Sequence, residues 1–181
     1  VIYLANFNRR IRQFLQAIGS NPVPAELLTV RQYLNQTERD LFYNMVPAIQ
    51  KHSINTALTI LNMPAEKTGI NKSLLIKAAL LHDTAKIRGS IYLWDRVSYV
   101  LLKKLFPKLL QYLASPGHGS FLARFRQALY IHLHHPEIGA RIAEKAGLDK
   151  NLVYLIKHHH DAVRAWGSKE LAILMEADEA N

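Results

Sequence analysis

The sequence predicts an all-α fold, a helical bundle carrying an N-terminal helical extension. Three observations lead there. Apolar residues recur at helical spacing along most of the chain, and no stretch alternates convincingly as a strand would. Glycine, proline and asparagine gather in short breaks between these stretches, where turns belong. The segment "LLIKAALLHDTAK", residues 74 to 86, is apolar nearly all round before it ends in a histidine and an aspartate, the pattern of a buried central helix with a polar end.

Taken in order, residues 1–36 read as the extension and 37–181 as the main domain. In the extension Ile2, Phe7, Ile11, Phe14, Leu15 and Ile18 share one apolar face, with Arg9, Arg10 and Arg12 near it, and "GSNPVP" (19–24) breaks the chain. "TERD" (37–40) reads as a capping box with Asp in place of the usual Glu or Gln, opening a helix through Leu41, Phe42 and Met45. Pro47 suits the first position of the next helix, which carries Ile49, His52, Ile54, Ala57, Leu58 and Leu61. Residues 62–71 are a loop, and 72–83 the central helix. An amphipathic region from Tyr92 to Leu113 is broken at Pro107, and "SPGHGS" (115–120) is a loop. A helix from about Phe121 to Leu133 comes next. A new one starts at Pro136 and stops at Gly147. Asp149 caps "KNLVYLIKHHHDA", "WGSKE" turns, and Ser168 caps a last helix reaching Asp178.

The 181 residues suit one domain with its own core, and 49% hydrophobic with 20% charged residues is globular composition. There is no cysteine, so disulfides and thiolate metal sites are excluded and any metal must be held by His, Asp or Glu. A net charge of +9 favours anionic partners such as phosphate esters and nucleotides. No uncharged apolar run reaches the ~18 residues of a membrane span, so no membrane partner is expected. No basic n-region followed by an apolar h-region opens the sequence as given, and its start at Val1 fits a trimmed leader or a piece of a longer protein. A cytoplasmic location is the expectation, and an oligomer is compatible with it. The chain opens at Val1 without methionine and ends at "ADEAN" within a helix, so a C-terminal continuation is expected. Lys103, Lys104, Lys108, Arg124 and Arg126 read as an ordinary basic surface. No nucleic-acid signature interleaves aromatics with these charges.

Nine histidines are placed unevenly, six of them between residues 132 and 160. His52 and the pair His82–Asp83 lie on two apolar helices, and Asp178 ends a third. Imidazole and carboxylate are the ligand set of zinc, manganese and iron. Neighbours on a helix diverge by roughly 100°, so His82 and Asp83 meet one site only from a helix end facing a cleft.

Read in sequence order, "QKHSINTA", "AALLHDTAK", "HHPEIGARIAEKAG", "LIKHHHD" and "LMEADEAN" resemble the HD superfamily of metal-dependent phosphohydrolases, in its HDIG branch related to HD-GYP phosphodiesterases. The resemblance spans about residues 38 to 181. It implies a helical HD bundle with a divalent transition metal, one or two per chain, of Fe, Mn, Zn, Co or Ni. His52, His82, Asp83 and Asp178 match the ligands of one metal. His135, His159 and His160 match those of a second, which Asp83 bridges. A water activated by the metal is the implied nucleophile, with Asp83 and Lys86 in catalytic positions. Lys86 matches the lysine near the substrate phosphate, and Arg88 and Arg96 extend that basic side toward substrate. Asp161 stands in the acidic place after the double histidine, from which it orients a ligating imidazole. His134 competes with His135, and His158 with His159 and His160. His132 reads as scaffold and His118 as exposed.

Two departures matter. Thr84 and Ala85 replace the middle of the usual "HDIGK", and the GYP signature is absent from "HHDAVRAWGSKE". The second counts against a dedicated cyclic-di-GMP phosphodiesterase. The implied activity is hydrolysis of a phosphate mono- or diester of a phosphorylated small molecule, a nucleotide above all. The alternatives are a regulatory module that binds nucleotide or metal without significant turnover, and a di-iron oxygenase of the same superfamily.

Overall fold

The computed structural model describes residues 21–63 and 69–181. The expected leader helix and part of the 62–71 loop lie outside the described residues. Ten helices follow in order: α1 Leu27–Tyr33, α2 Gln36–Asn44, α3 Pro47–Leu61, α4 Lys72–Leu81, α5 Leu93–Leu105, α6 Pro107–Leu113, α7 Phe121–Lys145, α8 Lys150–His158, α9 Ala162–Ala165 and α10 Lys169–Ala180. Among the described residues the only extended pairing is a single bridge between Met45 and Ile87.

The centre is α4. Leu75, Ile76, Ala78, Ala79, Leu80 and Leu81 are all buried, as a helix apolar on every side requires. It starts on Asn71, whose side chain accepts from Leu74 N at 3.0 Å. Around it pack α1, α2, α3, α8 and α10. Phe42, Ile54, Ile60, Leu152, Ile156, Leu171 and Leu174 complete one core. Val30 and Leu34 belong to that core too, so it begins upstream of residue 37.

Several starts and stops differ from expectation for local reasons. The capping box at α2 is Asn35 with Glu38, not Thr37 with Asp40. Asn35 accepts from Glu38 N at 2.9 Å, and Glu38 accepts from Asn35 N at 2.8 Å. "NQTE" satisfies the box rule with the correct acid, and "TERD" only approximates it. The central helix ends at Leu81, so His82 and Asp83 occupy the turn after it. The break between Leu133 and Pro136 is as expected: within residues 121–145 two helical stretches meet in a kink at His134, whose φ of −116° and ψ of 16° are not helical. Pro136 explains the break: it has no N–H to give the His132 carbonyl, and its ring crowds that oxygen.

Candidate metal centre

Three histidines reach the same place by the same local device. His82 follows α4, His159 follows α8, and His135 stands at the break inside α7. The last carbonyls of a helix lack intrahelical donors. Each histidine supplies one from Nδ1, three residues back: His82 to Ala79 O at 2.9 Å, His135 to His132 O at 2.9 Å, His159 to Ile156 O at 2.7 Å. A carbonyl only accepts, so Nδ1 carries a proton in each and Nε2 points away from the backbone; in the neutral rings of His135 and His159 that Nε2 holds a lone pair. For His135 the acceptor is the carbonyl that Pro136 leaves without a donor.

The Nε2 atoms converge on two carboxylates. His135 Nε2 lies 3.3 Å from Asp83 Oδ1, and His82 Nε2 lies 3.7 Å from Asp83 Oδ2. Asp178, from α10, stands 2.7 Å from His52 Nε2 and 3.3 Å from His82 Nε2. Two groups result: the donor atoms of His52, His82 and Asp83 lie within 4.8 Å of one another, as do those of His135, His159 and His160. Asp83 lies between the two. The Lys86 ammonium sits 2.7 Å from its Oδ1 and 2.8 Å from its Oδ2, although only the Oδ2 contact has hydrogen-bond geometry.

The electrostatics follow from this crowding. Burial would raise the Asp83 carboxyl, but Lys86 and then His82 and His135 outweigh it and hold it well below the usual carboxylate range. Asp178 is likewise held low, burial being outweighed chiefly by His82 and the hydrogen bond from His52. His82 is pushed up to about 9, because Asp83 and Asp178 overcome the burial that would lower it. His135 falls well below the ordinary imidazole value through burial and nearby Lys86, and burial with His82 takes His159 down to about 3.

The fit to a cation can be read from one contact. His135 Nε2 and His159 Nε2 face each other at 3.2 Å. Both Nδ1 atoms already carry the protons they donate to carbonyls, and both rings stay neutral. Two lone pairs at this distance call for a Lewis acid. Asp83 Oδ1, buried and without a directed hydrogen bond, adds an anionic donor beside them. Imidazole and carboxylate without thiolate suit a divalent transition metal.

The remaining expected site residues divide. His160 stands on the exposed rim, its ring 5.0 Å from that of His135. Arg96 is half-buried on α5 and feels both Asp83 and Asp178, which oppose the lowering of its pKa by burial. Arg88 is exposed and its Nε donates to Met45 O at 3.3 Å, a backbone tie. Asp161 does not orient His159 or His160. It caps α9 by accepting from Arg164 N at 3.1 Å and contacts His158 at 3.5 Å, while Ile156 O orients His159. His134 lies against Tyr130 and His158 against Tyr154. His132 contributes its carbonyl, and its ring stacks on Tyr99 with centroids 5.0 Å apart. His118 is exposed. Arg124 is not plain basic surface: it pairs with Asp95 at 2.9 Å and lies over the Tyr92 ring.

A cleft of about 520 Å³ lined by Tyr92, Trp94, Asp95, Ser98, Phe121, Arg124 and Phe125 shares no residue with this cluster. Its two ionic groups neutralise each other, so the chemistry belongs to the histidines. A helical bundle that gathers this donor set at its helix ends is a candidate metal-binding domain. The HD domain family model matches residues 49–180, and the chain belongs to that family, one of metal-dependent phosphohydrolases. No curated protein and no solved structure gives a significant match.

Proposed function

We propose that this protein is a metal-dependent phosphohydrolase acting on a phosphate mono- or diester, with a nucleotide as the favoured substrate class. The observation that carries the reading is the facing pair His135 Nε2 and His159 Nε2 beside the buried Asp83 carboxylate, whose Oδ1 lies 3.3 Å from His135 Nε2 and 2.7 Å from the Lys86 ammonium. His52, His82, Asp83 and Asp178 would hold one divalent ion. His135, His159 and His160, with Asp83 shared, would hold a second. Bound there, such ions supply Lewis acidity toward phosphoryl oxygen and lower the pKa of water.

The chain's own residues do the rest. Hydrolysis adds water to phosphorus and breaks the P–O bond, and negative charge gathers on the non-bridging and leaving oxygens. Lys86 and Arg96 are the cations placed to meet that charge. The ammonium of Lys86 is largely buried, which strengthens its field on a nearby phosphoryl oxygen. The backbone carbonyls behind His82, His135 and His159 fix the ring orientations before any ligand arrives, so no reorganisation is needed during the reaction.

The test is turnover. Metal-stripped protein is reloaded with Mn, Fe, Co, Ni or Zn and offered nucleoside mono-, di- and cyclic phosphates and dinucleotides. Release of phosphate or nucleotide by the wild type, and none by Asp83→Ala at equal helical content, is the expected result. Silence across every metal and substrate, with metal bound, removes the reading.

A further inference from the structure

Among the described residues, most of the exposed large hydrophobic side chains lie between Tyr92 and Leu122. They belong to α5, α6 and the start of α7, which pack on one another away from the main core. On α5, Trp94, Leu101 and Leu105 follow i, i+7, i+11 spacing and so fall within about 40° around the axis. Phe106, just before Pro107, and Leu109 and Tyr112 on α6 are exposed as well. Trp94 is 75% and Tyr112 77% exposed, far beyond scattered surface apolar residues. Lys104 and Lys108 are exposed beside them, while Lys103, half a turn round α5 from Trp94, lies over the Tyr99 ring on the other face. No aspartate or glutamate stands between Asp95 and Glu137.

We propose that the α5–α6 hairpin is a docking surface for an anionic lipid bilayer. Apolar side chains enter the acyl boundary, the lysines meet anionic headgroups, and Trp94 and Tyr112 lie at the level where indole and phenol rings are favoured. No helix of the described residues is long and apolar enough to cross a membrane, so the contact is peripheral. The expectation of no membrane partner came from the lack of a spanning run, which bears only on crossing. A second copy of this chain fits less well, since a two-fold contact would bring two basic patches together. Trp94, Phe106 and Tyr112 could also stack on bases, but Leu101, Leu105 and Leu109 between them are aliphatic and suit an acyl boundary better.

The experiment is flotation of purified protein with vesicles of phosphatidylcholine alone or mixed with phosphatidylglycerol. Partition is expected to be at least about tenfold stronger to the mixed vesicles and to fall with salt. Leu105→Ser/Phe106→Ser and Lys104→Gln/Lys108→Gln should each abolish it with helical content unchanged. Arg141→Gln/Lys145→Gln, equally exposed on the far half of α7, should not. In a Trp166→Phe background the remaining Trp94 emission should shift blue on binding. The proposal is overturned if neither vesicle is bound, or if the α7 control weakens binding as much as the lysine variant. It is also overturned if the apolar variant only dissolves a dimer seen by light scattering. Loss of single-stranded RNA binding in the lysine variant, without vesicle binding, would sink it too.

Discussion

His135 Nε2 and His159 Nε2 stand 3.2 Å apart with both Nδ1 protons committed to backbone carbonyls. A cation between them relieves the lone-pair contact and ties the break in α7 to the end of α8. Loading metal-stripped protein with Mn or Zn at about 100 Kd should therefore add about 2.7 kcal/mol. For a domain of this size that is a rise in Tm of roughly 5–10 °C by scanning calorimetry. The double variant His135→Ala/His159→Ala should keep only the part due to the other group.

Asp83 contacts a histidine of each group, His82 at 3.7 Å and His135 at 3.3 Å. Asp83→Ala should reduce metal content to background at both, while Asp178→Ala should spare the His135–His159–His160 group. Elemental analysis per chain separates these outcomes. Equal loss in the two variants would show that the groups are not independent.

Metal capture should release a proton from His82. Its imidazole is raised to about 9, so below that pH the free ring is cationic and its Nε2 cannot ligate. Apparent affinity should thus rise about tenfold per pH unit as pH climbs toward that value, then level off. Calorimetric titration in two buffers of different ionisation heat should count about one proton released near pH 7. His82→Asn should remove it.

Lys86→Met should leave metal content near wild type and lower kcat by about 10²–10³ if the ammonium meets phosphoryl charge. The same change removes the largest influence holding Asp83 low. Metal binding should then begin to fail at a higher pH on the acid side. An unchanged kcat would return Lys86 to a purely structural partner of Asp83.

Gly139 is a packing position, not a turn. A Cβ there would meet Thr84 Oγ1 at 3.1 Å and Ile156 Cγ2 at 3.3 Å. Both neighbours are buried, and each adjoins the site: Thr84 follows Asp83, and Ile156 O orients His159. In an open helix Gly→Ala would gain up to ~1 kcal/mol. Here overpacking of about 1–3 kcal/mol should win, so Gly139→Ala is destabilising by urea melt. Metal affinity should fall with it.

Most of the elements and the donor types were legible in the sequence, although helices α1 and α9 were not read from it. Apolar periodicity marks the helices, Pro47, Asp149 and Ser168 mark starts, and lack of cysteine limits ligands to His, Asp and Glu. Even the break at His134 is written in "HHPE", since Pro136 must strip a donor from the His132 carbonyl. That signal also distinguishes His135 from His134, because only the residue three past the orphan carbonyl returns Nδ1 to it. The "NQTE" box was equally available.

What the linear chain could not decide was distance and direction. His158, His159 and His160 are chemically alike, and only the end of α8 against α4 sends His159 inward, His158 toward Tyr154 and His160 to the rim. Arg88 and Arg96 look equivalent as basic neighbours of Lys86. The turn after α4 ties Arg88 to Met45, and α5 brings Arg96 within the electrostatic reach of Asp83 and Asp178. Helix periodicity is a local property of the backbone and is carried by the sequence itself. Which side chains share a site depends on how helices far apart in the chain pack, and the burial of α4 among its neighbours decides that.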